Sequence, residues 1–360
     1  MVAWIILFLT CSAIYVLGMI KDLTQTSLIK HTTILALFYL VLLFFAGFRY
    51  QIGNDYDSYV QIYGEIAATG PFSTYVEPGF GLICYALNQL GFAYQSMFFL
   101  FAAITLLLMF HNIITYAKNP YLALMLFILL PNYYFNLLCV VRQFLAISIV
   151  FYGVKYIMNR QFVSFLLTLL VACLFHKTAI ILLPFYFIVH VKQVPVLMVI
   201  LLALAIIFPL TKILPYISNS LLLADYEQYL NSAPPEFGGG STLIIRILLF
   251  AAVLLLYHKI KEPRNRIICN LYLWGVILYY ASIGTEALSR LSLYLMIFEI
   301  IALPNIIYQF KKTEAQVLAC TYVLYGTLLY FTNLNGYQKH YIDHTSEGNI
   351  QYTFNFKFLK

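Results

Sequence analysis

The sequence predicts an all-α polytopic membrane protein, and its composition is the first reason. Hydrophobic residues make up 62% of the chain and charged residues 10%, with a mean hydropathy of +0.85. A soluble domain carries about 25% charged residues, so a water-soluble main domain is excluded. The second reason is that apolar runs cover most of the chain and leave no room for a sizeable soluble domain.

Apolar windows of roughly 20 residues predict about twelve transmembrane helices, within a range of about ten to thirteen. The first run lacks a basic start and a cleavage site, so it is predicted to be a span and not a signal peptide. The stretch 79–92 is short and begins near Pro78, which favours a re-entrant or interfacial segment. The predicted spans are 2–20, 33–48, 97–116, 121–137, 138–157, 162–175, 178–191, 194–213, 243–257, 267–284, 290–310 and 314–333.

The segments between and after these spans complete the predicted organisation. Loops are expected at 49–78 and 214–242, and both are assigned to the external side. Residues 1–333 are expected to form a single transmembrane helical domain, and 334–360 a polar, aromatic C-terminal tail. If 21–32 is cytoplasmic, the cytoplasmic loops collect more than half of the 21 basic residues. Basic loops stay in the cytoplasm, so this bias sets the orientation and places both termini outside.

Ionisable residues gather at the predicted outer ends of the helices. Such groups cost a few kcal/mol each at membrane depth and by default mark a function. Arginine presents a planar fork that matches phosphate oxygens, so Arg49, Arg142 and Arg290 are expected to bind a pyrophosphate. The alternative is that each arginine extends from a helix end to the membrane interface. The whole set is Arg49, Asp55, Glu77, Arg142, His176, Glu286 and Arg290.

Three of these residues are candidates for the catalytic base that activates a sugar hydroxyl. His176 is preferred because an imidazole titrates near neutral pH, although a structural role is the alternative. Asp55 follows Gly53 in a turn and is the second candidate, the alternative being a hydrogen bond within the turn. Glu77 precedes Pro78, which favours an extended backbone. It is the third candidate, and a solvated loop carboxylate is the alternative.

Polar and aromatic neighbours of these residues are expected to contact the glycan. They are Tyr56, Tyr59, Gln143 and Glu286, and the flat face of a tyrosine can stack on a sugar ring. Most of the 61 tyrosines and phenylalanines (31 Tyr and 30 Phe) are expected instead at the lipid interface. Glu299 lies within a predicted span and is expected to pair with another polar group inside the bundle.

Several other chemistries lack their sequence motifs. The 6 cysteines show neither CxxC nor metal-ligand spacing, so no metal site and no redox chemistry are predicted. The sequence contains no HExxH, GxSxG, P-loop or EF-hand pattern. Metalloprotease, serine hydrolase and ATPase functions therefore have no support. The net charge of +7 comes largely from short loops and does not indicate nucleic-acid binding.

Taken in order, these motifs resemble the EpsG-type family of polysaccharide polymerases, which are related in role to the Wzy O-antigen polymerases. The resemblance covers about residues 49 to 304. The family usually has Thr at the position of Asn54 and often Ser at that of Thr178. The matching segments are Phe48-Arg49, Gly53-Asn54-Asp55-Tyr56 with Tyr59, Glu77-Pro78-Gly79-Phe80, Arg142-Gln143 with Ala146, Phe175-His176 with Ala179, and Arg290 with Tyr294 ahead of Leu303-Pro304.

The resemblance implies a multi-helix fold similar to the GT-C glycosyltransferases, in the bacterial inner (cytoplasmic) membrane. The implied activity joins undecaprenyl-pyrophosphate-linked repeat units on the external face during O-antigen, capsule or exopolysaccharide synthesis. It needs no metal or other cofactor, and a direct displacement would invert the anomeric carbon. The implied partners are undecaprenyl-pyrophosphate-linked glycans, membrane lipid and a chain-length regulator protein, with no nucleic acid. Two alternatives stay open: a flippase or transporter of lipid-linked oligosaccharide, and a membrane glycan acyltransferase.

Overall fold

The computed structural model describes residues 2–24, 30–72, 76–191, 193, 195–209, 240–283, 286–342 and 353–359. Within these residues the chain is helical apart from one two-stranded sheet, which confirms the predicted all-α class. The predicted loop 214–242 lies outside the described residues, except that residues 240–242 begin a helix.

Sixteen α-helices occur among the described residues, together with two 3-10 segments, Lys177–Leu182 and Tyr257–Lys259. The strands are β1 (Arg49–Tyr50) and β2 (Thr353–Phe354). The helices are α1 (Val2–Thr24), α2 (His31–Gly47), α3 (Tyr56–Thr69), α4 (Pro78–Gln89), α5 (Tyr94–Tyr116), α6 (Pro120–Leu129), α7 (Tyr134–Cys139), α8 (Val141–Met158), α9 (Phe162–Cys173), α10 (Phe185–Ile188), α11 (Pro195–Ile207), α12 (Gly240–Leu256), α13 (Pro263–Ala281), α14 (Glu286–Met296), α15 (Glu299–Ile307) and α16 (Lys312–Ile342).

The chain is a polytopic membrane protein, as its hydropathy predicts. In the described part of the chain, five helical stretches are long and apolar enough to cross a bilayer: Val2–Ile20, Tyr94–Tyr116, Val141–Met158, Thr242–Lys259 and Lys312–Thr332. A sixth span results if the bent pair Ser289–Met296 and Glu299–Ile307, which meet at 41°, counts as one. The predicted count of twelve is not confirmed.

A break in one predicted span accounts for part of this difference in span count. The predicted span 121–137 contains α6, which ends at Leu129, and then α7. With 10 residues, α6 is only about 15 Å long, half of the roughly 30 Å hydrocarbon core. Asn119 fixes the start of α6, because its side-chain oxygen accepts the amide hydrogen of Leu122 at 2.9 Å. Helix α6 is buried from Tyr121 to Leu129 and is too short to span the membrane alone.

The predicted loop 49–78 is more ordered than expected, since it contains β1 and α3. Tyr56 and Tyr59 from this region form a second hydrophobic cluster with Phe80 of α4 and with Phe98 and Phe101 of α5. This cluster lies beside the larger core of the bundle. It supports the ends of the helices that carry the candidate site.

The C-terminal segment returns to the end of the bundle where Arg49 lies. Strand β2 pairs antiparallel with β1, with Phe354 opposite Arg49. The amide of Asn355 donates to the Phe48 carbonyl at 2.7 Å, and Ala93 donates to the Phe358 carbonyl at 2.8 Å. The last helix, α16, continues beyond the predicted tail boundary at 333 and ends at Ile342.

Gly53 is the residue at which the site region tolerates a side chain least. Its φ is +104°, and a Cβ built there would overlap the carbonyl oxygen of Leu138. We therefore expect Gly53→Ala to lower the free energy of unfolding by about 2–4 kcal/mol, from backbone strain plus overpacking. Gly91→Ala is the matched control, because Gly91 has φ +83° and no described atom within 4 Å of its Cβ position. Equal losses for both variants in thermal unfolding would refute the proposed steric contact.

Candidate active site

Glu77 joins two of the predicted site residues. It precedes α4 with an extended backbone (φ −64°, ψ 145°), as its position before Pro78 predicts. Its Oε2 accepts a hydrogen bond from Nη1 of Arg142 at 2.5 Å. Its Oε1 lies 3.1 Å from Nδ1 of His176 and accepts the Lys177 amide at 3.3 Å. Residues separated by up to 100 positions in sequence therefore meet on one carboxylate.

The charge state of Glu77 follows from these contacts. Burial raises the pKa of the Glu77 carboxyl, but the hydrogen bond from His176 and the positive charge of Arg142 outweigh it and lower the pKa to about 2. The carboxylate is ionised at neutral pH and is a weak base. Its geometry instead suits an orienting role for Arg142 and His176.

His176 is held with one ring nitrogen free of the carboxylate. With Nδ1 donating to Glu77, Nε2 is the nitrogen that can accept a proton. The same carboxylate–imidazole arrangement fixes the tautomer of the histidine in hydrolytic triads. Among the described residues, no third His, Cys, Asp or Glu joins this pair in a group that could hold a metal ion. The role of His176 as a general base stays a prediction.

Arg142 is positioned by the start of α8. Its backbone N–H donates to the Tyr59 hydroxyl at 3.4 Å, and its guanidinium carbon lies 5.9 Å from the ring centre of Tyr59 and 5.8 Å from that of Phe80. Its Nε is buried and has no hydrogen-bond partner in the described part of the chain. Arginine carries five N–H donors. The side chain is 20% exposed and Glu77 takes only one of its donors, so Arg142 keeps accessible N–H groups while Glu77 holds it in place.

Arg290 is brought to the same end of α8 through its backbone. The Nε2 of Gln143 donates to the Arg290 carbonyl at 2.6 Å. One turn further along α14, the hydroxyls of Tyr294 and Thr178 lie 3.3 Å apart. These contacts tie α14 to both the start of α8 and the segment after His176. The predicted partners Arg142, Arg290 and His176 thus lie on neighbouring elements.

Arg49 has a different environment. Its side chain is 1% exposed, and its Nη1 and Nε donate to the carbonyls of Ala46 at 2.5 Å and Ile52 at 3.1 Å. Its guanidinium carbon lies 4.5 Å from the ring centre of Phe98. These contacts give Arg49 a structural role at the end of α2. A pyrophosphate contact by Arg49 stays a prediction.

Cys139 lies near Asp55 and two of the arginines, Arg49 and Arg290. Asp55 lies just before α3, and its carbonyl accepts the Tyr59 amide at 3.0 Å. The Cys139 thiol lies within electrostatic range of Asp55, Arg49 and Arg290. The sequence analysis predicted no metal or redox role for the cysteines and did not place Cys139 at the site. Its position just before Arg142 was the one available signal that it belongs to this region.

The predicted glycan contacts are engaged mainly with protein. The Tyr56 ring stacks on Phe98 with centres 4.5 Å apart, and the Tyr59 ring packs on Phe80 and Phe98. Both tyrosines are buried. Gln143 is buried too, and its Oε1 has no partner among the described residues. Glu286 begins α14, but its side chain lies outside the described part of the structure. Sugar binding by any of these residues stays a prediction.

A second ionic centre lies deeper in the bundle. Nη1 of Arg246 lies 3.9 Å from Oε2 of Glu299, and both side chains are buried. The hydroxyls of Tyr133 and Tyr322 donate to the two Glu299 oxygens at 2.6 and 2.8 Å. The expected pairing of Glu299 is confirmed. Sequence reasoning missed Arg246, because a single arginine does not disturb the hydropathy of the run 243–257.

The site makes part of the protein's stability depend on pH. The pKa of Glu77 is about 2 in the folded protein and 4.5 without its partners, so the carboxylate stabilises the fold above pH 4.5. This contribution, on the order of 2 kcal/mol after allowance for partial hydration, is lost as the pH falls towards 2. We expect thermal unfolding curves of Glu77→Gln to lose this acid-dependent part, whereas Glu65→Gln, a partly exposed control on α3, should keep it. An unchanged acid dependence in Glu77→Gln would contradict the assigned contacts.

Comparison with known proteins identifies one match. The model of the EpsG family matches residues 32–354. No curated protein matches the chain, and no solved structure matches it. The matched range includes all of the residues assigned to the site above.

Proposed function

The chain belongs to the EpsG family, whose members are linked to exopolysaccharide synthesis, and we propose that it is a polymerase-type glycosyltransferase. Its substrates would be undecaprenyl-pyrophosphate-linked repeat units, joined on the external face of the cytoplasmic membrane as Wzy-type polymerases join O-antigen units. The observation that supports this proposal most is the Glu77 carboxylate, which holds an arginine and a histidine side by side.

In the proposed reaction, His176 acts as the base, and Arg142 and Arg290 stabilise the leaving group. Nε2 of His176 takes the proton of the acceptor hydroxyl, and the resulting oxygen attacks the anomeric carbon of the donor glycan. The bond from that carbon to the pyrophosphate oxygen breaks, and undecaprenyl pyrophosphate leaves with the bonding electron pair. Arg142 and Arg290 stabilise the negative charge that develops on the leaving group. Attack opposite the leaving group inverts the anomeric carbon.

The roles of the three candidate bases differ in this scheme. Glu77 orients Arg142 and His176, because a carboxylate with a pKa of about 2 is a weak base. His176 is the proposed base. Asp55 is assigned to the acceptor sugar, since its carboxylate is close enough to Tyr59 and Cys139 to act electrostatically on both.

The proposal can be tested in cells that lack the protein, by measuring in which membrane leaflet the lipid-linked repeat units accumulate. Loss of a polymerase is expected to leave single lipid-linked repeat units in the external leaflet, with no long-chain glycan. Accumulation in the inner leaflet would contradict the polymerase and favour transport. The control is a strain that carries the wild-type chain on a plasmid, which should restore both the glycan and the lipid-linked pool.

A flippase for the same lipid-linked units is the second candidate, and one observation favours it. Arg246 and Glu299 form an ion pair buried inside the bundle, and charged pairs at that depth occur along transport pathways. The tyrosines that surround Glu299 are also consistent with a static structural pair. The leaflet experiment above separates the two candidate functions.

A further inference from the structure

A large cavity lies at the far end of α8 from Arg142. Its volume is about 1000 Å³. Its walls come from the end of α8, the residues after α10, and parts of α11, α12 and α13. Helix α8 has 18 residues and is therefore about 27 Å long. The cavity and the Glu77 site thus lie about one membrane thickness apart, at opposite ends of the bundle.

The polar part of the cavity carries basic side chains. Arg160, Arg266, His190 and His258 contribute to its lining, and no described lining residue is Asp or Glu. Nε of Arg266 donates to the Ile260 carbonyl at 2.6 Å, which fixes the side chain while leaving other donors of the guanidinium. Nε2 of His190 is buried without a hydrogen-bond partner in the described residues.

Arg160 adopts a backbone conformation that favours glycine. Its φ is +57°. Its amide donates to the Ile157 carbonyl at 3.0 Å, and the next amide, of Gln161, donates to the Tyr156 carbonyl at 2.8 Å. This pair of bonds is the Schellman motif that ends many helices, and glycine is the usual residue at the position of Arg160. An arginine held there at a conformational cost indicates a use for its charge.

The rest of the cavity wall is apolar. Val199 of α11, Leu254 of α12 and Ile267 of α13 face the space beyond the basic residues. A cavity with a cationic end and a hydrocarbon wall matches an amphiphile and not a free anion. Basic pockets between membrane helices bind the headgroups of anionic lipids in this way.

We propose that this cavity binds a phosphate-bearing lipid, with the phosphate at Arg160 and Arg266 and the hydrocarbon chain along α11 and α12. An acyl phospholipid and a polyprenyl phosphate share this chemistry. The basic loops at this end of the bundle are those predicted to face the cytoplasm, which places the lipid in the cytoplasmic leaflet. The site is separate from the proposed polymerase centre, so it does not depend on that proposal.

Lipid binding to the purified full-length protein tests the proposal. In detergent, phosphatidylglycerol should raise the melting temperature and bind at least about tenfold more tightly than zwitterionic phosphatidylcholine. Arg266→Ala should weaken phosphatidylglycerol binding by about tenfold, the loss expected for one charge-assisted hydrogen bond. Arg264→Ala is the matched control, because Arg264 lies on the same helix and does not line the cavity. Repeating the titration with undecaprenyl phosphate identifies which of the two lipid sources binds more tightly.

Arg160→Gly separates binding from folding. Glycine suits the backbone at this position, so the lipid-free protein should be as stable as the wild type or more stable. Its affinity for phosphatidylglycerol should nevertheless fall about tenfold. Three results would overturn the proposal. The first is equal affinity for the two phospholipids, and the second is wild-type affinity for phosphatidylglycerol in both Arg160→Gly and Arg266→Ala. The third is a loss of affinity in Arg264→Ala as large as that in Arg266→Ala. Full stabilisation by inorganic phosphate without lipid would also overturn it.

Discussion

Replacing Arg142 with alanine is expected to abolish long-chain glycan. The guanidinium is the group that Glu77 holds at the start of α8, and its remaining donors are assigned to the leaving pyrophosphate. Removal of one preorganised donor of this kind typically costs about 10²–10³-fold in rate. The chain-length distribution of glycan extracted from a complemented deletion strain measures the effect, at matched protein level in the membrane.

Two further variants separate catalysis from folding at Arg142. Arg142→Lys keeps the charge but loses the planar fork, so intermediate activity is expected. The double variant Arg142→Ala with Glu77→Gln removes both charges, which spares the protein an unpaired buried carboxylate but should leave it inactive. Lys155→Ala, on the same helix at its other end, is the control and should give normal glycan. A normal chain-length distribution in Arg142→Ala would remove the pyrophosphate role.

Replacing Glu299 with alanine is expected to have the largest effect on stability. The carboxylate lies within 3.9 Å of the buried Arg246 and accepts hydrogen bonds from Tyr133 and Tyr322. Its loss leaves a charged guanidinium without its partner in a low-dielectric interior. Breaking a buried pair on one side costs about 3–5 kcal/mol. Unfolding of the purified protein in mixed micelles measures the change.

A double-mutant cycle tests whether the loss of stability in Glu299→Ala comes from the ion pair between Arg246 and Glu299. Arg246→Met combined with Glu299→Leu should be more stable than either single charge deletion, because no unpaired charge remains. Tyr322→Phe, which removes one hydrogen bond to Glu299, should cost only about 1 kcal/mol. If Glu299→Ala unfolds like the wild type, the network does not stabilise the protein.

Long apolar segments were the part of the fold that sequence could predict. The predicted spans 2–20, 97–116 and 243–257 lie within, or closely match, α1, α5 and α12. A hydropathy window sums over many residues, so it locates a long run well. It does not register where a run breaks. The break between α14 and α15 lies beside Tyr133, whose hydroxyl is 2.7 Å from the Met296 carbonyl, and this contact joins residues 163 positions apart.

At the candidate site too, features set by neighbours in sequence could be predicted, whereas contacts between distant residues could not. The extended backbone of Glu77 followed from Pro78, a neighbour in sequence. Its bonds to Arg142 and His176 could not be predicted, because no local rule pairs residues 65 and 99 positions apart. Burial of Arg49 was also unforeseen. Hydropathy scores arginine as polar, whereas here the carbonyls of Ala46 and Ile52 accept hydrogen bonds from its Nη1 and Nε.

Reconstitution of the purified protein with lipid-linked repeat units tests most directly whether it forms glycosidic bonds. We expect products of two or more repeat units, with one undecaprenyl pyrophosphate released for each bond formed. With Arg142→Ala we expect no such products. Vesicles in which the wild-type protein moves the units across the membrane without joining them would contradict the polymerase function.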